Sequence, residues 1–420
     1  MLGTCPSFAR GNADKLNLGI IGPGGRGGGN LGAVSGENIV ALCDVDEKRA
    51  AQAMASYPQA RYNRDFRRML DVEKHLDAVV VSTPDHTHAV ASVMAMKRGL
   101  HVYCEKPLAH SIHEVRAMKE TAATMGVATQ MGIQGHAYPG TREAVEVVRS
   151  GALGPVRELH VWTDRPAGWW PQGVTRPVEV RDIPESLSWD LWLGPVPWRP
   201  YHPVYVPFKW RGRWDFGTGA IGDMGIHNFD TAFWALELGL PTSVEVLEAG
   251  DVFADTPPRW STMKLQFPAR GSQPAVEMFW YDGGKRPAAE LFQGAKIEGN
   301  GSLMIGEKGT LYTRTWHGGS KPEDWHLLLP EKEFVDYEPP TPTLPRVQGH
   351  HQEWLDACRG SGWPSAHFGY AAVSTESMLL GALALRLGRP IEWYAGQGKV
   401  AGCAEADAFI HPEYRRNWEL

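Results

Sequence analysis

The sequence predicts an α/β protein of two parts: a doubly wound parallel sheet at the N-terminus, then an α/β domain on an open, mostly antiparallel sheet. Three observations predict it. Over residues 15–135, short apolar runs alternate with helix-period segments, the rhythm of βαβ units whose parallel sheet is covered on both faces. The first apolar run ends in the glycine-rich turn "GPGGRG". Beyond residue 240, strand-like runs follow one another without helices between them, which calls for antiparallel neighbours.

Each element has its own justification. "KLNLGII" (15–21) and "NIVALCD" (38–44) are apolar runs of strand length. "EKRAAQAMASY" (47–57) is built from helix formers. "LDAVVVST" (76–83) reads as a buried strand. "HAVASVMAMKRG" (88–99) puts Val90, Val93, Met94 and Lys97 at helical spacing and stops at Gly99. "LHVYC" (100–104) is a strand, "IHEVRAMKETAATMG" (112–126) a helix ending at Gly126, and "VATQM" (127–131) a strand.

Near residue 136 the character changes, which places the first domain at 1–135 and a substrate-binding and oligomerisation domain at 136–420. "TREAVEVVRSG" (141–151) reads as a helix and "VRELHVWT" (156–163) as a strand. Residues 164–207 hold nine prolines, the mark of a long ordered loop of the kind kept for function. "TGAIGDMGIHNFDTAFWALEL" (218–238) reads as a helix. "SVEVLEAGDV", "STMKLQF", "AVEMFWY", "GSLMIG" and "GTLYT" read as strands, and helices return at 350–360 and 376–388.

Composition excludes several classes. The chain has 420 residues and a net charge of −6 without a Lys/Arg stripe, which argues against nucleic acid as a partner. It has no unbroken run of about 18 apolar residues, so no membrane span is expected. Its five cysteines, Cys5, Cys43, Cys104, Cys358 and Cys403, are scattered and form no CxxC, so buried thiols are expected rather than disulfides or a zinc knuckle. "MLGTCPSFARGNADK" lacks a basic start and apolar core and reads as a loose leader, which leaves cytoplasm and periplasm both open. Eight of the 17 tryptophans lie between Trp162 and Trp214, where packing accounts for most and flat walls for sugar rings for a few.

The glycine turn is informative because of its context. Gly22-x-Gly24-x-x-Gly27 follows a strand and opens a helix, and Asp44 lies 22 residues past Gly22, at the end of the next strand. A Rossmann dinucleotide fold requires that arrangement. Gly22 permits the turn, Gly24 and Gly25 admit the pyrophosphate, Gly27 lets helix and strand close up, and Arg26 adds a charge. Asp44 suits the adenosine ribose hydroxyls and repels a 2′-phosphate, which favours NAD over NADP, although Arg49 blunts the preference. Ligands in such sheets sit at the carboxyl ends of the strands. The glycine turn, Asp44, "STPDHTH" (82–88) and "CEKP" (104–107) each follow a strand, so all four should line one edge.

With those segments placed, the chain resembles the glucose–fructose oxidoreductase / inositol dehydrogenase / MocA (Gfo/Idh/MocA) family over nearly its whole length. The resemblance rests on "GIIGPGGRG", "CDVD", "VVVSTPDHTHA", "HVYCEKPL", "GDMGIHNFD" and "LGALALRLGRPIEW" in that order. It implies NAD(P)-dependent oxidation or reduction of a sugar, inositol or glycoside and a homo-oligomer, dimer or tetramer. The Trp-rich loop resembles bacterial members that act on glycosides, often exported by the twin-arginine route. Some relatives cleave the glycosidic bond by transient oxidation. The resemblance also implies a cis Lys106–Pro107 bond.

These implications name the site. Lys106 is placed nearest the reacting hydroxyl. A lysine titrates near ~10.4 in water, so burial and a neighbouring cationic nicotinamide would be needed to make it a base at neutral pH. Asp223 and His227 are four apart, on one face of a helix, where a carboxylate can orient an imidazole. The resemblance gives His227 to the substrate hydroxyl, with Asp223 beside it. Gly219, Gly222 and Gly225 in the same segment would admit cofactor, substrate or another helix at close range. Thr83, Pro84, His86, Glu105 and Gln134 border the cofactor in this reading, and His88 caps the next helix. His136, Trp162, Arg165, Trp214 and Tyr281 are candidates for the sugar wall, packing being the ordinary role of such residues. "TPDHTH" lacks a third metal ligand and "GHHQEW" (349–354) spreads its histidines over different faces, so no metal is expected and the latter reads as helix surface. No G-x-S-x-G, H-E-x-x-H or P-loop is present, so any hydrolysis would run through redox chemistry. The expectation is an NAD-dependent dehydrogenase acting on a secondary hydroxyl, at the ring 3-position for instance. The alternative is a glycosidase that oxidises, eliminates, hydrates and recycles its cofactor.

Overall fold

A computed structural model describes residues 15–314 and 325–420. The expected N-terminal leader, with Cys5, lies outside the described residues. Of the other cysteines, Cys43, Cys104 and Cys403 are buried thiols and Cys358 is half-buried.

The first sheet has six strands: β1 (Asn17–Ile21), β2 (Asn38–Cys43), β3 (Arg61–Asn63), β4 (Ala78–Val81), β5 (His101–Glu105) and β6 (Thr129–Gly132). Their order is β3-β2-β1-β4-β5-β6 and every pairing is parallel. Because the order reverses between β1 and β4, a crevice opens beyond their carboxyl ends. The central strand Ala78–Val81 is buried at all four positions, as a sheet covered on both faces requires.

Among the described residues the second sheet has nine strands: β7 (Val156–Trp162), β8 (Ser243–Ala249), β9 (Ser261–Phe267), β10 (Val276–Tyr281), β11 (Gly301–Gly306), β12 (Thr310–Thr313), β13 (His326–Leu329), β14 (Ile391–Tyr394) and β15 (Lys399–Val400). Their order is β13-β12-β11-β7-β10-β9-β8-β14-β15. The β7–β10 pair is parallel and the other pairs are antiparallel. β9 alternates strictly, with Met263, Leu265 and Phe267 turned into the core. β3, β13, β14 and β15 are two to four residues long, too short to carry a readable period.

Three segments differ from expectation. The helix expected at 376–388 begins earlier and runs Phe368–Leu387, with the His367 side chain capping its first turn through the Gly369 N–H. It is long and apolar enough to cross a membrane by length and composition, yet most of it is buried inside the protein, where it serves as a core helix. The helix expected over 218–238 is broken: a π-turn at Ile221–Gly225 precedes the short helices Ile226–Asn228 and Asp230–Ala235. Its glycines explain the irregularity. Gly219 sits at φ +69°, a Cβ on Gly222 would meet Thr218 Oγ1, and a Cβ on Gly225 would lie 2.8 Å from Met378 of the long helix. Finally, His350–Cys358 is not helix surface. Trp354 and Leu355 join Leu18, Ile20 and Tyr103 in one core, so the chain returns to cover the first sheet. His350 accepts no solvent role there: its Nε2 bonds the Met131 carbonyl at 2.8 Å.

The Trp-rich segment carries a core of its own. Leu187, Trp189, Trp192, Tyr201, Tyr205, Trp210 and Phe216 pack together, with Trp189 stacked on Trp192 at 4.8 Å. The segment is tied to the first domain by a bridge between Leu187 and Asp46.

Candidate active site

A cleft of about 420 Å³ opens at the carboxyl ends of the parallel strands, a size ordinary for ligand sites. Gly22, Gly24, Gly25 and Arg26 line it after β1, Asp44 after β2, Thr83 and Pro84 after β4, and Glu105 and Lys106 after β5. Strand ends thus bring together residues as far apart in the chain as Gly22 and Lys106. Lys106–Pro107 is cis.

The glycine turn fits a dinucleotide. Gly22 has φ +79°, which favours glycine. A Cβ on Gly27 would lie 1.8 Å from the Gly22 carbonyl oxygen, so turn and helix close up only without side chains. The helix Arg26–Ala33 has no side chain capping its N-terminus, which leaves that end open to a phosphate. Asp44 accepts a bond from the Asp46 N–H at 3.0 Å. Burial raises its carboxyl to about 6, against the pull of the Asp46 N–H and Arg49. Arg49 lies over Gly24 and Gly25, close to where the phosphates would pass.

Glu105 organises the next stretch. Its Oε1 accepts from Arg26 Nε at 3.1 Å, Asn30 Nδ2 at 2.9 Å and Gln134 Nε2 at 3.0 Å. Gly132 makes room for it, since a Cβ there would sit 2.7 Å from the carboxyl group. Arg26 is therefore held by a carboxylate and only half-exposed, rather than projecting alone toward the phosphates.

One wall of the cleft is built on Asp223. Lys106 Nζ donates to Asp223 Oδ1 at 2.8 Å and to the Asp223 carbonyl at 2.7 Å. Arg165 Nη1 donates to Oδ2 at 2.8 Å and Arg211 Nε to Oδ1 at 3.2 Å. Burial by itself would raise this carboxyl, but Lys106, Arg211 and Arg165 outweigh it and hold it well below the carboxylate range. His227 lines the same wall. Burial, then the Lys106 charge, push its imidazole well below its ordinary value, so it is neutral. Asp223 and His227 share this wall through the π-turn rather than through a regular α-helix.

Several expected site residues lie elsewhere. Trp162 is fully buried, donates to the Glu298 carbonyl at 2.9 Å and packs on Phe292 and Tyr312. Trp214 is buried in the main core under Arg386. Tyr281 bonds His160 Nδ1 at 3.0 Å on the second sheet. None of the three lines the cleft, because their alternation within strands or core contacts turns them into packing. His136 is buried, stacked on Trp234 at 3.8 Å and bonded to Asp230 at 2.8 Å; it reaches only a small chamber behind His227. His86 does not border the cofactor cleft: its ring nitrogens face the Trp192 and Phe216 carbonyls at 2.9 and 3.3 Å. His88 does not cap a helix. It lies within Asp85–Met96 and bridges the Thr83 and Pro107 carbonyls at 2.8 and 2.9 Å, tying together the turns that follow β4 and β5.

The residues that do form the mouth are Arg165, Trp169, Phe208 and Arg211. Trp169 and Phe208 are 49% and 38% exposed, which sets them at the rim rather than in the core. Arg165 lies over Trp169 at 3.9 Å, and Arg211 over Trp210 at 4.3 Å. Trp169, Phe208 and Arg211 have no signature in sequence, since an irregular loop has no period to show which side chains face a cleft.

With this geometry in place, comparison with known proteins decides the family. Residues 16–133 match the oxidoreductase family's NAD-binding Rossmann fold, and residues 141–313 match the same family's C-terminal α/β domain. The chain belongs to the Gfo/Idh/MocA oxidoreductase family. It is 34% identical over 161 residues to inositol 2-dehydrogenase 2 of Saccharopolyspora erythraea, covering 37% of this chain and 47% of that one. It is 37% identical over 120 residues to a glycosyl hydrolase family 109 protein of Solibacter usitatus, covering 26% and 27%. The chain spans about half the length of the inositol dehydrogenases it matches. In fold it is similar to the WlbA dehydrogenase from Bordetella pertussis, with a TM-score of 0.62 at 18% identity over 90% of this chain and 99% of that one. As a family member it has an NAD-binding Rossmann domain, and the cleft at its strand ends is where the family fold holds the dinucleotide.

Proposed function

We propose that this protein oxidises a secondary hydroxyl of a sugar or glycoside by hydride transfer to NAD. The observation that carries the proposal is the convergence of Lys106, Asp223 and His227 in the same cleft that the glycine turn and Asp44 line. The glycine turn and Asp44 would hold NAD, which would supply the hydride acceptor. In the reaction the carbinol C–H leaves as hydride, the hydroxyl proton goes to a base, and a ketone and NADH result.

The chain's residues divide the work on the hydroxyl. Lys106 is paired with Asp223, so its ammonium serves as a donor that stabilises negative charge growing on the hydroxyl oxygen. The neutral imidazole of His227 is in the form that accepts a proton. Asp223 holds the lysine in place and balances part of the charge. Trp169 and Phe208 offer flat apolar surface to a sugar ring at the mouth.

A second reading is supported by the stretch that resembles a glycosyl hydrolase family 109 protein. Oxidation of one ring carbon would acidify the neighbouring C–H, the aglycone would be eliminated with that proton, water would add, and the ketone would be returned to the alcohol by the hydride stored on the cofactor. One experiment separates the two. The protein, with NAD, meets a panel of α- and β-glycosides and free sugars while NADH and released aglycone are followed together. NADH rising with a product two hydrogens lighter is the expected result. Free sugar released without net NADH, and lost when the cofactor is stripped, would establish the glycosidase. Full turnover by Lys106→Met would remove the lysine from either scheme.

A further inference from the structure

The charge of the cleft exceeds what oxidation of a neutral sugar calls for. Asp223 is one carboxylate, yet Lys106, Arg165 and Arg211 all bond to it, at 2.8, 2.8 and 3.2 Å. The other charges nearby balance among themselves. Glu105 holds Arg26 at 3.1 Å. Asp85 is buried, receives the Thr218 hydroxyl at 3.0 Å, and has His88 as its leading charged neighbour, ahead of Arg211 and Lys106. Two positive charges are therefore left over at the substrate end, and an oxidised nicotinamide would add another.

These cations are not solvated surface groups. The side chains of Lys106, Arg165 and Arg211 are 14%, 11% and 21% exposed. Arg165 Nε is buried without a hydrogen-bond partner among the described residues. Both guanidinium groups rest on aromatic rings, Arg165 on Trp169 at 3.9 Å and Arg211 on Trp210 and Phe208 at 4.3 and 4.4 Å. Stacking fixes each plane. Arg165 gives Nη1 to Asp223, and Arg211 gives Nε to Asp223 and Nη1 to the Phe208 carbonyl at 3.2 Å, so the Nη2 side of each guanidinium is what a ligand would meet. Holding uncompensated cations in such a place costs free energy, and a neutral ligand would not recover it. An oxyanion would, because guanidinium N–H pairs match carboxylate and phosphate oxygens.

We propose that the substrate is an anionic sugar, one bearing a carboxylate or a phosphate, whose oxyanion is taken by Arg165 and Arg211 while a ring hydroxyl faces Lys106 and His227. The inference rests on the sugar-oxidoreductase reading above and names the substrate class of the same site.

The test separates ligand charge from turnover. The NADH-loaded protein is titrated by calorimetry with matched sugars of the gluco, galacto and manno series: the neutral hexose, its uronic acid and its 6-phosphate. Hydride transfer to NAD is then measured with the same compounds. At least one anionic ligand should bind more than about tenfold tighter than its neutral partner, and the preference should weaken as salt rises. The stronger of the uronate and phosphate arms identifies the oxyanion. Arg211→Gln should shrink the ratio toward one, and Arg211→Lys should keep part of it, with NADH binding and thermal melting showing that each variant folds. Neutral sugars binding as tightly as both anionic forms, or no anionic sugar binding at all, would overturn the proposal. Anionic preference without hydride transfer from any sugar would uphold it and sink the oxidation reading instead.

Discussion

Lys106 and Asp223, 117 residues apart in the chain, meet at 2.8 Å through side chains and at 2.7 Å through the Asp223 carbonyl. The contact joins the turn after β5 to the π-turn of the second domain. Asp223→Asn keeps the shape and removes the charge that faces three cations. Turnover should fall by roughly 10²–10³-fold while NADH affinity changes only a few-fold. Because the carboxyl lies well below its ordinary range, its stabilising effect is complete above about pH 4 and disappears only in stronger acid. The variant should therefore have a shallower acid-denaturation limb than the parent. Steady-state rates within threefold of the parent would remove Asp223 from the mechanism.

Asp44 should make cofactor binding depend on pH. Burial raises its carboxyl to about 6, so the apoprotein binds this proton more tightly than the unfolded chain does. The group's contribution to apoprotein stability is thus greatest below about pH 4 and declines as pH rises toward 6. Ribose hydroxyls donate best to the ionised form, so NADH affinity should improve as pH rises through about 6. Fluorescence titration of NADH from pH 5 to 8 reads this directly. Asp44→Asn should flatten the profile, and an unchanged slope in that variant would assign the ionisation elsewhere.

His88 should stabilise the fold and the catalytic turn together. Burial disfavours its charge, but the Cys104 sulfur, Asp85 and the Pro107 carbonyl outweigh it and raise the imidazole to about 10. Both ring nitrogens then donate, one to Thr83 and one to Pro107. The stability this confers is full below about pH 6.5 and is lost as pH rises through about 10. His88→Leu leaves two buried carbonyls unpartnered and should cost about 2–5 kcal/mol at pH 7, measured by urea unfolding. Its stability should also lack the alkaline decline. Equal stability of the two proteins at pH 7 would refute the bridge.

How much of this was legible in the sequence depends on whether position or residue type carried the signal. Gly22, Asp44, Thr83, Glu105 and Lys106 each follow an apolar run, and parallel topology alone puts strand ends on one edge, so their convergence could be read. Trp162, Trp214 and Tyr281 are sugar-wall candidates by residue type alone, and an aromatic ring packs a core as readily as it lines a cleft. His86 and His88 show the same limit: two histidines of one motif point to different carbonyls, and only tertiary structure says which. The π-turn was half visible, since the spacing of Gly219, Gly222 and Gly225 announced a weak helix without saying how it would break. Arg211 was invisible, because its role depends on a fold of the loop that no period encodes.

The Trp-rich segment holds its own aromatic core, separate from those beneath the two sheets. Its tryptophans therefore hold together the piece of chain that presents Arg211 and Phe208 to the cleft. A unit with an interior of its own can accumulate substitutions at its rim without loosening the sheets on either side. Substitutions at Trp169, Phe208 or Arg211 should therefore change what the cleft admits while leaving the melting temperature of the sheets nearly unmoved.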